Sequence, residues 1–276
     1  MAADKIGAAD CGPPMFHPRG PTFLELARQA LSSTERGYDL LAPKFDLTPF
    51  RTPAAVLEAA AAILGETGGV GSALDLCCGT GAAMAMLRPL CGERVVGVDF
   101  SGGMLAEARR RLNAAAAEPG LAPVELVRAD ALSLEYDGDF DLVTCFGALG
   151  HFRRRDQDRL IATVARALRP GGRFVFATAE RPPPWSWRLW PALAFNAAMA
   201  VRNAVWRPPF VMYYLSFLLP QARRLLARHG FEVEIHRSPV PSMAWLHLAV
   251  AELSRPGGHE HRNHRPKFRV VQDGGN

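Results

Sequence analysis

The feature that most constrains the fold is a regular alternation of short apolar runs with alanine-rich helical segments between residues 53 and 179. Five runs have the length and composition of buried strands, and the segments between them show helical spacing of apolar residues. Strands that alternate with helices of this length form crossover units, with parallel strands and helices on both faces. The predicted strands are SALDLCC, RVVGVDF, PVELVRAD, FDLVTCFG and GRFVFATA.

The C-terminal part of the domain departs from this parallel pattern. Two β segments, FEVEIHR and AWLHLAVAEL, follow a helical segment that ends at Gly230, with Pro239 and Pro241 between them. Such spacing predicts a closing antiparallel hairpin. We therefore expect an α/β fold with a Rossmann-like, doubly wound and mostly parallel sheet.

The length of the chain suits one α/β domain with a sizeable core. Both ends are polar or rich in glycine and lack periodicity, which is typical of loosely ordered segments. We predict a flexible N-terminal segment at 1–20, a domain at 21–254 with an inserted helical lid at 181–220, and a flexible basic tail at 255–276.

The charge of the chain gives little indication of a polyanionic partner. The net charge is +5, from 32 basic and 27 acidic residues, and +3 of it lies from Arg255 onward. We expect no nucleic acid partner, because the body is nearly neutral. The tail histidines (His259, His261 and His264) fit a solvated tail better than a metal site, and no metal is predicted.

The cysteines and the apolar runs indicate the compartment. Five cysteines without a C-x-x-C pair suit a reducing environment, and the N-terminus has no apolar core of signal-peptide length. The longest uncharged runs contain proline and fall short of the roughly 18 to 20 residues of a membrane span. We predict a cytoplasmic protein, with peripheral membrane contact through 185–214 as a further option.

The stretch ALDLCCGTGAAM, from Ala73 to Met84, is the candidate ligand-binding turn because it joins the first predicted strand to a helix. The dinucleotide fingerprint fits it poorly, since the third glycine position is Met84. The second strand ends in Asp99, about 20 residues beyond the glycines, where a carboxylate accepts hydrogen bonds from ribose hydroxyls. A nucleoside therefore fits the turn better than a bare phosphate.

The charges around this turn indicate what kind of nucleoside. No lysine or arginine lies between Asp75 and Leu87, whereas a phosphate-binding loop would supply one. Acidic residues stand at the ends of the first three strands, at Asp75, Asp99 and Asp130. An uncharged turn flanked by carboxylates suits a cationic ligand that carries an amine, as S-adenosylmethionine does.

Five motifs in order, LDLCCGTG, VVGVDFSGGML, RADAL, FDLVTCFGALGHF and LRPGG, closely resemble the class I S-adenosylmethionine-dependent methyltransferases. The resemblance covers about Gly37 to Leu253. The segment YYLSFLLPQARRLLARHGF is loosely similar to the ubiquinone and menaquinone biosynthesis branch of that family, which implies an apolar, ring-bearing or lipid-like acceptor.

The resemblance implies a role for each of the first four motifs. The first motif would hold the amino acid end of S-adenosylmethionine through one carboxylate and the turn backbone, the second the ribose, the third the adenine, and the fourth would lie near the methyl group. The predicted cofactor-binding residues are Asp75, Cys77, Gly79, Thr80, Gly81, Asp99, Phe100, Met104, Asp130, Ala131 and Phe146.

The sequence departs from the family at Cys77, where glycine is usual. Cysteine adopts positive φ less readily than glycine, so we expect a cofactor site that is kept but slightly altered. Thiol chemistry at Cys77 and Cys78 is the alternative, and it is disfavoured because no histidine or lysine lies nearby in sequence to lower a thiol pKa.

The inserted segment, 181–220, is expected to cover the methyl acceptor. Taken as a helix from Arg188, it places Arg188, Asn196, Arg202, Asn203 and Arg207 on one arc and Trp190, Leu193, Ala197, Val201 and Val205 opposite. Three interpretations stay open: the apolar side packs on the sheet, it covers an apolar substrate as a lid, or it contacts a membrane surface.

A general base is needed only if the acceptor starts protonated. The candidate catalytic residues are His151, after the fourth strand, and Tyr38, with Tyr213, Tyr214 and His247 as further candidates. The function predicted is methyl transfer to a small apolar, quinone-like, lipid-like or aromatic acceptor. The alternatives are an RNA or protein methyltransferase and a non-catalytic cofactor-binding module.

Overall fold

The structure, a computed structural model, describes residues 17–66, 68–114, 119–187, 189–237, 245–255 and 268–271. Within these ranges, strands and helices alternate as predicted. The helices are α1 (Phe23–Leu31), α2 (Thr34–Leu41), α3 (Ala54–Gly65), α4 (Ala82–Leu87), α5 (Gly102–Ala114), α6 (Gln157–Ala167), α7 (Leu189–Val205) and α8 (Leu219–Arg228). The strands are β1 (Val70–Leu76), β2 (Cys91–Asp99), β3 (Val124–Arg128), β4 (Phe140–Cys145), β5 (Leu168–Ala179), β6 (Phe231–Arg237), β7 (Leu246–Leu253) and β8 (Phe268–Val271).

The described strands form one sheet in the order β3-β2-β1-β4-β5-β7-β6-β8. Strands β1 to β5 pair in parallel, and β7 lies antiparallel between β5 and β6. The doubly wound sheet and the closing antiparallel pair are thus confirmed, while the connection at 238–244 lies outside the described residues. The strand order reverses between β1 and β4, which opens a crevice beyond their carboxyl ends.

The core lies on both faces of the sheet because its central strands are apolar on both sides. Helices α3, α4 and α5 cover one face, and α6 and α8 cover the other. On β1, Ala73 packs on the face covered by α3, α4 and α5, whereas Leu74 and Leu76 belong to the core on the face covered by α6 and α8. All three are buried. Each fully buried leucine contributes roughly 1.5 to 3 kcal/mol, so the sheet is a rigid support for the residues at its strand ends.

The C-terminal tail differs from its prediction. Residues 268–271 form β8, which pairs in parallel with the outer edge of β6, with Val233 opposite Phe268 and Ile235 opposite Val270. The sequence FRVV has the apolar, β-branched character of a strand, and the polar residues around it concealed this signal. Residues 1–16, most of the predicted N-terminal segment, and 256–267, with the three tail histidines, lie outside the described residues.

Helix α7 confirms the predicted helix, and its polar arc, not its apolar side, faces the protein. Asn196, Arg202 and Asn203 face the protein, where they hydrogen bond to backbone groups of other segments. The predicted covering side is exposed instead: Val201 is 65% and Val205 80% accessible. Of the three interpretations, packing of the apolar side on the sheet is therefore wrong, because the inward side carries the polar side chains that hydrogen bond to these backbone groups.

The outer face of α7 consists of Trp190, Leu193, Ala197, Val201 and Val205, all exposed. Its N-terminal flank adds Trp185 and Trp187, which are also exposed. No helix in the described part of the chain is long and apolar enough to cross a membrane.

Candidate functional site

The first cavity lies beyond the carboxyl ends of β1, β2 and β4, at the reversal in strand order. Its volume is about 610 Å³. The turn after β1 forms its floor, and residues of α2 and of the segment that follows α2 close it from above. Ten of the eleven predicted cofactor-binding residues line it, and Gly81 does not: the lining set is Asp75, Cys77, Gly79, Thr80, Asp99, Phe100, Met104, Asp130, Ala131 and Phe146.

Left-handed backbone conformations produce the sharp turn after β1. Cys77, Gly79 and Gly81 have φ values of 54°, 52° and 77°. A Cβ added at Gly81 would lie 3.1 Å from Cβ of Ala108, so this glycine permits α5 to approach closely. The Gly81 amide donates to the Cys78 carbonyl, at 2.9 Å, within the turn. Gly81 therefore shapes the turn and does not line the cavity, and its contact with the cofactor stays a prediction.

Asp75, at the end of β1, is a buried carboxylate in which one of the two oxygens has a hydrogen-bond partner. Its Oδ1 accepts from the Thr144 hydroxyl on neighbouring β4, at 2.7 Å. Its Oδ2 is buried and has no hydrogen-bond partner among the described residues. Burial is the main reason that the pKa of Asp75 is raised to about 7, with the negative charge of Asp99 adding to it. Such a carboxylate would be stabilised by a cationic donor in the cavity.

Asp99, at the end of β2, holds the turn and faces the same cavity. Its two carboxylate oxygens accept from the backbone amides of Gly79 and Ser101, each at 2.9 Å. Burial raises the pKa of Asp99, and these amide hydrogen bonds oppose that effect. An acceptor fixed on both sides is well placed for a pair of ribose hydroxyls.

The remaining predicted residues surround the far part of the cavity. Met104 on α5 and Ala131 after β3 are buried apolar walls. Asp130 begins the short 3₁₀ turn Ala131–Ser133 by accepting from the Leu132 amide, at 2.9 Å. Phe146 follows β4 and is 8% exposed. These contacts leave an apolar slot with a carboxylate at its rim.

Two acidic residues that the sequence motifs missed, Asp39 on α2 and Asp46 after it, connect this N-terminal part to residues around the cavity, and Asp46 lines the cavity. The Asp39 carboxylate accepts from the Ser101 hydroxyl and the Gly103 amide, at 2.7 and 2.8 Å. Asp46 accepts from the Thr80 hydroxyl, at 2.8 Å, and pairs with Arg111. Four acidic or aromatic residues within GYDLLAPKFD were the available signal, but only the fold brings this segment against the cavity.

Tyr38 and His151 form a closed pair at the wall of the first cavity. His151 Nδ1 lies 2.6 Å from the Val211 carbonyl oxygen, so it must donate, and Nε2 then accepts from the Tyr38 hydroxyl, at 2.7 Å. The Tyr38 ring also stacks on Phe210. Burial lowers the pKa of His151 and raises that of Tyr38. With both ring nitrogens engaged, His151 has no lone pair to take a proton directly from a ligand.

The two cysteine thiols of the turn are held in the protonated form. The pKa of Cys77 is raised by a hydrogen bond with Cys145 and by burial, and burial raises that of Cys78. A thiolate is the reactive species in thiol chemistry, and both environments disfavour it. Within the described part of the chain, no cluster of three or more His, Cys, Asp or Glu residues could hold a metal ion.

A second cavity of about 980 Å³ adjoins the first, and Gly147 and His151 line both. It lies beyond the ends of β5, β6 and β7 and is bordered by the start of α7. Its apolar lining includes Trp187, Pro191, Ala192, Met212, Tyr214, Phe217 and Trp245. Its charged or titratable lining consists of His151, Glu180, Arg181, Arg237 and His247, with Tyr213 and Tyr214.

Together these features define the class of protein. A doubly wound sheet with an antiparallel β7, a glycine turn after β1 and carboxylates at three strand ends form a class I methyltransferase fold. The buried, unpartnered Oδ2 of Asp75 fits the α-amino group of S-adenosylmethionine, and the doubly held Asp99 fits its ribose.

Comparison with known proteins identifies the family. A family model described as a methyltransferase domain matches residues 73–172. Demethylmenaquinone methyltransferase of Thermus thermophilus is 35% identical over 169 residues, which are 58% of this chain and 74% of that protein. The enzyme of the same name from Clavibacter sepedonicus is 42% identical over 113 residues, 40% of this chain and 42% of that protein.

The solved structures agree on the fold. Magnesium protoporphyrin IX methyltransferase from Synechocystis with bound SAH superposes with a TM-score of 0.52 at 18% identity, covering 72% of this chain and 82% of that one. The chain therefore belongs to the class I S-adenosylmethionine-dependent methyltransferases, and S-adenosylmethionine is its cofactor. Its curated relatives include methyltransferases of quinone biosynthesis.

Proposed function

We propose that the chain transfers a methyl group from S-adenosylmethionine to an apolar, ring-bearing acceptor that occupies the second cavity. The observation that carries this proposal is the position of that cavity, which adjoins the first and is lined by aromatic and aliphatic side chains. The Thermus relative is named for a quinone substrate, which supports an acceptor of the same kind here.

The first cavity binds the cofactor through the residues at the strand ends. Asp75 Oδ2 accepts from the α-amino group, and Asp99 accepts from the ribose hydroxyls. Met104 and Ala131 pack on the adenine, and Asp130 accepts from its exocyclic amine. When bound, S-adenosylmethionine supplies a methyl group activated by a sulfonium.

Phe146 and the Tyr38–His151 pair separate this site from solvent on the side of the second cavity. Phe146 is buried and His151 is half-buried, and the Tyr38 ring packs between Phe210 and His151. Exclusion of water and alignment of the acceptor with the methyl carbon supply most of the acceleration in such a displacement. Tyr38 and His151 therefore act by closing and shaping the site.

The acceptor reaches the second cavity from a membrane surface. Trp187 and Tyr214 line the cavity and are also exposed, and the outer face of α7 continues from them. From Arg181 to Phe231 the sequence has seven arginines and no aspartate or glutamate. The exposed tryptophans and valines of this segment, whose sequence contains arginines and no acidic residue, are complementary to an anionic bilayer.

Turnover measurements test the proposed acceptor class. Purified protein is incubated with S-adenosylmethionine and either a lipid extract containing quinols or total RNA, and S-adenosylhomocysteine is measured. We expect product with the lipid extract only. Product with RNA alone would favour the macromolecule-modifying alternative, and product with neither would favour a non-catalytic binding module.

Vesicle co-sedimentation tests the membrane contact. We expect binding to phosphatidylcholine vesicles that contain phosphatidylglycerol and weak binding to phosphatidylcholine alone. The double variant Val201→Asp/Val205→Asp should lower this binding at least about tenfold, because two apolar side chains no longer enter the interface. Ala106→Asp/Asn113→Asp, which adds two charges at exposed positions of α5, is the matched control. Equal loss in the control would show a charge effect and contradict the contact through α7.

A further inference from the structure

Among the polar groups that line the second cavity, the ring of His247 is the one that is buried and incompletely bonded. His247 lies at the start of β7, in register with Thr178 on β5 and Arg237 on β6. The residue is 8% exposed. Its Nδ1 atom is buried and makes no hydrogen bond to any described residue. A buried nitrogen without a partner costs free energy unless a ligand or water completes it.

The other polar groups near this cavity have partners of their own. Both nitrogens of His151 are engaged by Tyr38 and Val211. The Tyr213 hydroxyl accepts from the Asn203 side-chain amide, at 3.2 Å, and the Thr178 hydroxyl donates to the Phe217 carbonyl, at 3.1 Å. His247 is thus left as the buried hydrogen-bonding group that a ligand can use.

The surroundings of His247 decide which hydrogen bond it can make. Glu180 Oε1 lies 3.9 Å from Nε2, too far for a hydrogen bond, but its negative charge makes Nε2 the better site for the ring proton and leaves a lone pair on Nδ1. Burial is the main cause that lowers the pKa of His247. The positive charge of Arg237 acts in the same direction, and Glu180 opposes both. The ring is therefore neutral near pH 7, and its free atom is an acceptor.

We propose that Nδ1 of His247 accepts a hydrogen bond from a hydroxyl group on the ring of the methyl acceptor. This inference rests on the proposed function, and it deepens it by requiring a hydroxylated ring rather than a plain hydrocarbon. A neutral imidazole lone pair selects an O–H donor over a carboxylate, which offers no proton. The cationic side chain of Arg237, at the same strand ends, stabilises partial negative charge on the hydroxyl oxygen.

A matched pair of ligands tests the proposal without turnover. 1-Naphthol and 1-methoxynaphthalene share an apolar ring system, and only the first has a hydroxyl donor. Binding to the whole chain is measured by calorimetry and by quenching of tryptophan fluorescence, since Trp187 and Trp245 line the cavity. We expect the protein to bind 1-naphthol about 3- to 10-fold more tightly, as one neutral hydrogen bond allows.

Three variants identify the group responsible. His247→Ala should bind the two compounds equally, and His247→Gln, which keeps a side-chain acceptor, should restore part of the preference. His229→Ala is the control. His229 follows the last residue of α8, contacts Asp158 on α6 and does not line the cavity. Circular dichroism and cofactor affinity show whether each variant is folded.

Each outcome separates this inference from the proposed function. Equal affinity for the two ligands in the unmodified protein, or a preference that survives in folded His247→Ala, overturns the role of His247 and leaves the apolar acceptor cavity standing. Binding of neither ligand overturns both. A preference lost in His247→Ala and kept in His229→Ala supports the assignment.

Discussion

The turn after β1 and helix α7 border the two cavities with opposite arrangements of polar and apolar groups. At the turn, the carboxylates of Asp75 and Asp99 are buried among apolar side chains and accept from a hydroxyl and two backbone amides. On α7, amide side chains point inward and the apolar face is exposed. The first region is therefore prepared for a small charged ligand, and the second for an apolar surface or acceptor.

The strongest test of this difference is Asp99→Ala. The variant removes the acceptor for the ribose and the contacts to Gly79 and Ser101, and lost charge-assisted hydrogen bonds are worth about 1.5 to 3 kcal/mol. Calorimetry should show a loss of about 10- to 150-fold in S-adenosylmethionine affinity. Val201→Asp, on the outer face of α7, should leave that affinity unchanged. Unaltered binding by folded Asp99→Ala would remove the ribose assignment.

The pKa of about 7 at Asp75 predicts a pH dependence of cofactor binding. Because the pKa is raised, the carboxylate is mostly protonated at pH 6 and ionised at pH 8, and only the ionised form attracts a cationic amine. The dissociation constant should rise about tenfold from pH 8 to pH 6, in proportion to the loss of the ionised form. Asp75→Asn should bind more weakly at pH 8 and show a flat profile. The same slope in this variant would mean that another group titrates.

Thermal stability distinguishes the two faces of α7. Asn203 hydrogen bonds to both backbone groups of Phe210 and to the Tyr213 hydroxyl. Asn203→Ala should therefore cost about 1 to 3 kcal/mol, and each kcal/mol lowers Tm by about 2 to 4 °C. Val201→Asp should change Tm little, since Val201 is exposed. A larger loss in Val201→Asp than in Asn203→Ala would show that the apolar face packs against the protein.

The smallest effect is expected for Cys77→Gly in the cofactor turn. The φ of 54° at Cys77 is strained for a residue with a side chain. Glycine relieves that strain but gains freedom in the unfolded chain, so the net stabilisation should be below about 1 kcal/mol in denaturant unfolding. Cofactor affinity and turnover should be equal or better. Loss of turnover in the folded variant would instead indicate a chemical role for the thiol.

The sequence was sufficient for the sheet and for most of the predicted residues that line the first cavity. Strand and helix periodicities differ, so the alternation of segments specified the parallel sheet, and strand ends that meet at one edge brought Asp75, Asp99 and Asp130 together. Ten of eleven predicted residues line the first cavity. Gly81 does not line that cavity, and the close approach of Ala108, which requires a glycine at this position, is visible only in the fold.

Tertiary structure alone decided the features that depend on distant segments. Periodicity placed Asn196, Arg202 and Asn203 on one side of α7. Which side faces inward depended on the backbone carbonyls of distant residues, Ser32, Phe210 and Tyr214, that accept from these side chains. The closed pair of Tyr38 and His151 joins residues 113 positions apart. Sequence patterns report which residues share a face of an element, whereas hydrogen-bond satisfaction across the fold determines what that face meets.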